Sequence, residues 1–387
     1  MPTVGVNERI EEYRSRLHAN DREDFDERFE EEVSQLDIDE IRDELRSKYQ
    51  QSEDHLELVV AVASGFHQTS LADGYESGYE FAFTEPLEEQ NSEYVGNEGV
   101  KNGDVLLVKE DEGDVYLCVV ECKAGRSAGR GWVDELRGIE ETLSQDQHRQ
   151  TLKSQIGAED DEIRHIQYVL VGKVAEIVAM NYDEIDDDLD IPPNYAFWGY
   201  DLGDQALINI HGEVRDQDLM SVIGDSIDAG KVANPIQFTY GDHPLTQLKV
   251  LIEKIITTNQ QENDPHPYEF TNFAFRDSFE EELYVGFSGD VWDELVENRV
   301  EYLLETGTEI GILTNSAGRL NSNRDYRILF RGSRSKAAKD DAERKYFEWR
   351  AKEKQKKRAF EEIHDEFDTR PAQASLDSEQ FRQSDSS

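Results

Sequence analysis

The chain of 387 residues carries 86 acids against 41 bases, a formal net charge of −45, and 37% of its residues are apolar. Regular apolar segments exclude a disordered acidic chain, and no apolar run reaches the roughly 20 residues that span a bilayer. Residues 1–50 are charged throughout, so no signal peptide is expected. Multimolar salt screens such a charge, since the Debye length falls to about 3 Å at 1 M. A cytoplasmic protein of a halophile, without membrane contact, is therefore predicted.

The predicted elements of the first half, in chain order, form a mixed α/β pattern. Helices are expected over 5–50 and 54–72, strands over 79–89, 104–108 and 114–123, a helix over 132–156, and strands over 166–174 and 194–201. The order helix, three strands, helix, strand is typical of an α/β domain with a mixed central sheet flanked by helices. We assign residues 51–205 to this core and residues 1–50 to an N-terminal helical region.

Beyond residue 205 the pattern of predicted elements changes. Helices are expected over 244–257 and over 289–305, the latter ending at Gly307 as C-cap. Strands follow in the segments TEIGILT and DYRILF. Residues 206–330 are therefore assigned to a C-terminal α+β domain, whose helix-helix-hairpin order is compatible with a winged helix. A basic helix over 331–365 and a disordered polar tail over 366–387 complete the chain.

Two cysteines, Cys118 and Cys122, lie four residues apart on one predicted strand. Roughly 13 Å would separate them along that strand, which is too far for a disulfide. Two cysteines alone cannot form a zinc cage. Neither a disulfide nor a structural zinc site is expected.

An acid-x-Lys triplet ends the strand at 114–123. The 16 lysines and 86 acids would produce three to four such triplets by chance, and the chain has two, so the triplet alone means little. Glu343-Arg-Lys345 falls on a charged helix and is interpreted as a solvated face. Glu121-Cys-Lys123 instead ends an apolar run, where a glutamate and a lysine are rare unless they are paired or bind an ion.

The register of the two neighbouring strands places a second acid beside this triplet. If Glu112-Gly113 is a two-residue turn, the numbers of any two paired residues add up to 225, and Asp104 lies opposite Glu121. Residues i and i+2 of a strand share a face, so Glu121 and Lys123 point the same way. Two facing carboxylates repel unless a cation lies between them. A hard divalent ion such as Mg²⁺, which takes one or two carboxylates plus phosphate and water, removes this conflict.

These residues resemble the PD-(D/E)xK nuclease superfamily, also called restriction-endonuclease-like, in which an acid begins one strand and acid-x-Lys follows on the next. Here Asn102-Gly-Asp104 stands in place of Pro-Asp. The resemblance covers roughly residues 50–205 and implies Mg²⁺- or Mn²⁺-dependent hydrolysis of phosphodiester bonds. Asp104 and Glu121 would hold the metal and Lys123 would position the attacking water. A helix that often carries another glutamate precedes the pair, and here it offers Glu57.

Candidate contacts to nucleic acid, with DNA as the favoured substrate, lie in two places. The glycine-rich loop after the triplet carries Arg126 and Arg130, and arginines on mobile backbone beside a metal site suit phosphate contact. Residues 331–359 hold twelve bases against five acids, a net of +7 in a chain whose remainder carries −52. From this segment we select Lys345, Arg350, Lys354 and Lys357. The alternatives are a plain flexible loop and a helix that binds the protein's own acidic surface.

Two other functions remain open at this point. One is a catalytically inactive nucleic-acid-binding or scaffold protein that keeps the nuclease fold. The other is a regulator in which a winged-helix-like module at 244–330 is the working part. Monomer and homodimer are both open.

Overall fold

A computed structural model describes residues 6–68, 73–84, 103–125, 130–180, 191–230, 236–283, 290–315, 324–329 and 336–368. Two compact units are distinguished along the chain. One comprises residues 1–47 with 341–387, and the other comprises residues 48–340. The predicted tail at 366–387 lies outside the described residues, apart from the last three residues of a helix.

The first unit is helical. It contains α1 (Val6–Arg16), α2 (Ala19–Gln35), the first part of α3 (Ile38–Gly65) and most of α11 (Lys336–Asp368). Its core is a cluster of buried apolar residues from α1, α2 and α11: Ile10, Phe25, Phe360, Ile363 and Phe367. The helices predicted separately at 5–50 and 54–72 meet in one continuous α3, because residues 48–53 contain good helix formers and neither glycine nor proline.

The second unit is built on a seven-stranded mixed sheet in the order β1-β2-β3-β4-β5-β6-β7. The strands are β1 (Glu80–Thr84), β2 (Val105–Asp111), β3 (Asp114–Cys122), β4 (Glu162–Lys173), β5 (Tyr195–Asp201), β6 (Ala206–Gly212) and β7 (Ile227–Asp228). β3, β4 and β5 are parallel, and the other pairs are antiparallel. The predicted mixed sheet is confirmed. The division of this unit at residue 205 stays a prediction, and the sheet itself continues to Asp228.

The predicted register of β2 and β3 is confirmed. Leu106 pairs with Val119 and Val108 pairs with Leu117, so partners sum to 225. The turn is Glu112-Gly113, with φ angles of 52° and 89°. Positive φ at both central residues is the requirement of the type I′ turn, whose twist matches that of the flanking strands. The regular ladder ends at Val105 and Val120, so Asp104 comes directly before β2 at the end of the hairpin where Glu121 lies.

Helices cover both faces of the sheet. α3 packs on one face through Leu58, Val59 and Val62, and Phe66, directly after the helix, joins the same core. The other face is covered by α4 (Arg130–Leu143), with Val133, Leu136 and Ile139, and by Leu152 of α5 (Asp146–Gln155). The single helix predicted over 132–156 is therefore two helices. α6 (Val174–Val178) follows β4, and α7 (Gln217–Asp225) follows β6.

The remainder of the second unit contains a smaller sheet. Its elements are α8 (Pro244–Gln261), β8 (Glu269–Phe270), α9 (Asn272–Glu282), α10 (Asp290–Glu309), β9 (Leu313–Thr314) and β10 (Tyr326–Ile328). The three strands are ordered β8-β10-β9. The predicted C-cap at Gly307 is wrong, because α10 continues to Glu309 and the positive φ belongs to Gly311. Gly307 instead allows close approach, since a Cβ there would lie 2.8 Å from Leu313 Cδ1.

Within the described ranges, no helix is both long and apolar enough to cross a membrane. Cys118 and Cys122 are buried free thiols, as the strand spacing predicted.

Candidate active site

The β2–β3 hairpin brings Asp104 to the end of β3. The Asp104 amide donates a hydrogen bond to the carbonyl of Val120 at 2.8 Å, and Val120 is also the partner of Val105, so the regular register stops at this residue. Its neighbour Gly103 has no room for a side chain. A Cβ there would lie 2.5 Å from Val119 Cγ1 and 2.9 Å from the Val120 carbonyl oxygen. The glycine before the acid is therefore a steric requirement of this strand end.

The carboxylate of Asp104 has two partners in the structure. Its Oδ2 accepts a hydrogen bond from the Cys122 amide at 2.6 Å, and His55 Nε2 lies 3.2 Å from the same oxygen. Burial lowers the pKa of His55 and is the largest single effect. The charge and hydrogen bond of Asp104, with smaller contributions from Asp242 and Glu121, outweigh it and raise that pKa to about 9. His55 is therefore a cation at neutral pH that fixes the orientation of Asp104.

Glu121 and Lys123 share one side of β3, as i and i+2 residues of a strand do. Lys123 Nζ lies 2.6 Å from Glu121 Oε1 and also forms an ion pair with Glu135 of α4. Glu121 is only 7% exposed, whereas the side chain of Lys123 is 23% exposed. The lysine thus connects a buried carboxylate of the strand to a glutamate of α4.

The two neighbouring carboxyl groups, Asp104 and Glu121, differ in their preferred charge. Burial and the charge of Asp104 raise the pKa of Glu121 well above its ordinary value, although Lys123 opposes this. Burial acts to raise the pKa of Asp104 as well, but His55 and the Cys122 amide lower it overall. Asp104 therefore favours the charged form, whereas burial and the neighbouring carboxylate favour the neutral form of Glu121.

The carboxylates at this strand end are oxygen ligands of the kind that a hard divalent cation prefers. By the resemblance, Asp104 and Glu121 are the carboxylates that would hold a cation there, and Mg²⁺ commonly binds one or two carboxylates together with waters and phosphate oxygens. In the described part of the chain, no group of three or more His, Cys, Asp or Glu is arranged to hold a metal ion. The donor set fits an open Mg²⁺ site that the substrate completes, and it does not fit a closed protein cage.

Glu57 lies on the same helix as His55 but on another side of it. The two residues are two positions apart, which is about 200° around an α-helix. Glu57 is exposed, and its charge acts on Lys173 and Tyr200 rather than on Asp104 or Glu121. The structure brings Asp104 close enough to Glu121 and Lys123 for its charge to act on both, and Glu57 does not belong to that group.

Sequence reasoning missed three residues that lie at or near this site: His55, Glu135 and Asp242. Asp242, which precedes α8, is 4% exposed and its carboxylate accepts a hydrogen bond from the Thr239 amide. Burial, the largest effect, raises the pKa of Asp242 to about 6, although the charge of His55 lowers it. His55 and Asp242 are separated from Asp104 by 49 and 138 residues, so no local spacing points to them. Glu135 follows Lys123 by twelve residues on α4, and a helix beginning near Trp132 was the one available signal.

The predicted nucleic-acid contacts fall into two groups. Arg126 lies outside the described residues, and Arg130 is described only as the first residue of α4. Lys345, Arg350, Lys354 and Lys357 all lie on α11, in the helical unit.

Several cations of α11 have partners within that helical unit. Lys354 and Arg358 both bind Glu44 at 2.7 Å, and Lys345 lies 3.4 Å from Asp341. Lys357 is 3.7 Å from Glu361, and the Arg350 guanidinium lies over the Trp349 ring. Part of the basic segment therefore neutralises acids of its own unit, which is the alternative that the charge pattern left open.

No protein-family model, no curated protein and no solved structure matches this chain.

Proposed function

We propose that this chain is a Mg²⁺- or Mn²⁺-dependent nuclease that hydrolyses phosphodiester bonds in nucleic acid, with DNA as the favoured substrate. The observation that carries the proposal is the convergence of Asp104, Glu121 and Lys123 at the end of one hairpin. The resemblance to the PD-(D/E)xK superfamily supports the proposal, since that pattern has an acid at the start of one strand and acid-x-Lys on the next, preceded by a helix.

The roles of the residues follow from their surroundings. Asp104 and Glu121 would hold the metal, which when bound polarises the phosphodiester and lowers the pKa of a bound water. Lys123 carries a positive charge beside both carboxylates, since the charge and hydrogen bond of Glu121 outweigh the opposing effect of burial and raise its pKa. An ammonium in this position can orient the attacking water and neutralise charge that develops on the phosphate. His55 keeps Asp104 oriented, and Glu135 does the same for Lys123.

Cleavage assays in molar KCl test the proposal. Single-stranded, duplex and branched DNA, together with RNA, should be incubated with Mg²⁺ or with a chelator. Cleavage of at least one substrate in Mg²⁺ alone, lost in Lys123→Ala, is expected. Failure of all substrates to be cut in Mg²⁺ or Mn²⁺ would remove the nuclease assignment.

A second candidate is a nucleic-acid-binding regulator that uses α8 to β10. The order helix-strand-helix-helix-strand-strand, with a three-stranded sheet, is compatible with a winged-helix-like module. However, α10, the helix that would enter the groove, exposes acids that repel phosphate: Asp293, Glu294, Glu297, Glu301 and Glu305. Binding without cleavage, retained in Lys123→Ala and lost on substitution within α10, would favour this candidate.

A further inference from the structure

Two consecutive residues of α3 contact strand ends on either side of β3. His55 binds Asp104, which precedes β2, whereas Asp54 Oδ2 lies 2.8 Å from Lys173 Nζ at the end of β4. Cys122 pairs with Val171, so Lys173 lies two residues beyond the position level with the acid-x-Lys triplet. Residues two apart on a strand share a face, and Val171 packs on the α3 side of the sheet. Lys173 therefore lies at the end of β4 on the α3 side of the sheet, the side from which His55 reaches Asp104, whereas Lys123 reaches Glu135 of α4.

The cations at this end of the sheet differ in how fully they are paired. Lys123 has two carboxylate partners, Glu121 and Glu135, and His55 is bound to Asp104. Among the described residues, Lys173 has a single carboxylate within ion-pair distance, that of Asp54. An ammonium group has three donors, and the side chain of Lys173 is 22% exposed. Lys173 can therefore accept a further anionic partner without losing its present one.

The charge of the surrounding chain gives this cation a particular use. A phosphodiester must approach two carboxylates in a protein of net charge −45, so it needs cationic donors close to the reacting group. Lysine is a common phosphate ligand that acts as a point charge. A partly exposed ion pair such as Lys173–Asp54 contributes little to folding, so a purely structural role leaves this lysine largely unexplained.

We propose that Lys173 contacts a backbone phosphate of the bound nucleic acid, next to the phosphate that is cleaved. This inference rests on the proposed nuclease function and adds a substrate-binding residue to it. Asp54 holds the ammonium at the end of β4 in the absence of substrate. When substrate binds, Lys173 keeps this ion pair and donates a second charge-assisted hydrogen bond to the phosphate.

Binding measurements on a cleavage-deficient protein test the proposal while Mg²⁺ is present. Four proteins carry Lys123→Ala: the parent, and the same chain with Lys173→Gln, Asp54→Asn or Lys254→Gln. Lys254 is the matched control, since it is also an ion-paired lysine with a 23% exposed side chain, bound to Glu281 and Glu282 far along the chain. Affinity for a labelled nucleic acid that the wild-type enzyme cleaves is measured by fluorescence anisotropy between 0.5 and 2 M KCl.

Lys173→Gln should weaken binding roughly tenfold, the loss of one charge-assisted hydrogen bond. For a duplex, the slope of log affinity against log salt should flatten by about 0.9, the value for one phosphate contact. Asp54→Asn should bind at least as tightly as the parent, because the cation stays and an anion is lost. Lys254→Gln should match the parent in affinity and slope.

Two results would overturn the inference. One is a Lys173→Gln protein that binds like the parent with an unchanged salt slope. The other is an equal loss of affinity in Lys173→Gln and Asp54→Asn, which would assign the ion pair a structural role. If Lys173→Gln melts at a lower temperature than the parent, Lys173→Arg is measured in its place. Parental affinity in Lys173→Arg supports the phosphate contact, and an affinity as low as that of Lys173→Gln contradicts it. If the wild-type enzyme cuts no substrate, the nuclease proposal fails and this inference fails with it. If the wild-type enzyme cuts a substrate but Lys173→Gln leaves binding unchanged, the inference alone fails.

Discussion

His55 Nε2 lies 3.2 Å from Asp104 Oδ2, so a residue of α3 fixes the carboxylate that begins the candidate metal site. The charges of Asp242, which precedes α8, and of Glu121 in β3 also raise the pKa of this histidine. Three carboxyl groups from three separate segments thus act on the charge of one imidazole, and Asp104 alone of the three lies within ion-pair distance of it. Their arrangement makes the charge of His55 a measurable feature of folding stability in the absence of metal.

We predict that this stability is lost at alkaline pH. Because the folded-state pKa of His55 is about 9, above its ordinary value of 6.5, its contribution is complete below pH 6.5 and disappears as pH rises through 9. The shift corresponds to at most about 3 kcal/mol. Urea unfolding with chelator and fixed KCl, at pH 6 and pH 10, measures the change. The His55→Gln protein should lack this component, and identical pH dependences in the two proteins would contradict the assignment.

Lys123→Ala should reduce cleavage by at least about a hundredfold, the usual cost of removing one preorganised charge-stabilising donor. The protein should remain folded, because the raised pKa of Glu121 allows it to take up a proton once its partner is gone. Lys254→Ala serves as the control, since Lys254 also binds two glutamates. Wild-type cleavage rates in Lys123→Ala would show that the chemistry takes place elsewhere.

Gly103→Ala should impair activity by displacing Asp104. The added Cβ would meet Val119 Cγ1 at 2.5 Å and the Val120 carbonyl at 2.9 Å, and overpacking of this kind costs about 1–3 kcal/mol. Gly224→Ala on α7 is the control, because a Cβ there meets no atom within 4 Å. The prediction fails if both variants match the wild type in melting temperature and cleavage rate.

The protein should need salt to remain folded. Its net charge of −45 makes self-repulsion a destabilising force that dissolved ions screen. The melting temperature should rise from dilute buffer to molar KCl. Sucrose at equal osmolality is the control, because it is excluded from the protein surface but carries no charge and therefore does not screen. A melting temperature that is the same in dilute buffer and in KCl would rule out the requirement.

Substitutions on α11 separate its structural and binding roles better than deletion of residues 331–387 does. Deletion would remove Phe360, Ile363 and Phe367 from the core of the helical unit. Arg350→Ala and Lys357→Ala, at exposed positions, should each flatten the salt slope of duplex binding by about 0.9 if they contact phosphate.

The matched variants for this test are Lys354→Ala and Arg358→Ala, whose side chains bind Glu44. They should lower the melting temperature more than the affinity. Unchanged binding in all four variants would assign the whole segment to packing within its unit.

Local sequence was sufficient to predict the hairpin. Continuous apolar runs predict that β2 and β3 are strands buried on both faces, and Glu112-Gly113 fixes the turn and therefore the register. The same register predicts that Asp104 lies opposite Glu121 and that Lys123 shares the side of Glu121, although the regular ladder ends at Val105 and Val120. All of these features depend on residues within about twenty positions of one another.

Only the tertiary structure showed which distant residues surround that hairpin. α3 places Asp54 and His55 against Lys173 and Asp104, and the segment before α8 brings in Asp242. α11 pairs Lys354 and Arg358 with Glu44, more than 300 residues earlier. Such contacts depend on how helices pack on the sheet and on one another, and packing is set by the whole apolar surface rather than by residue spacing. The sequence therefore determined the strand pair that carries the candidate chemistry, and the tertiary fold decided which charges surround it.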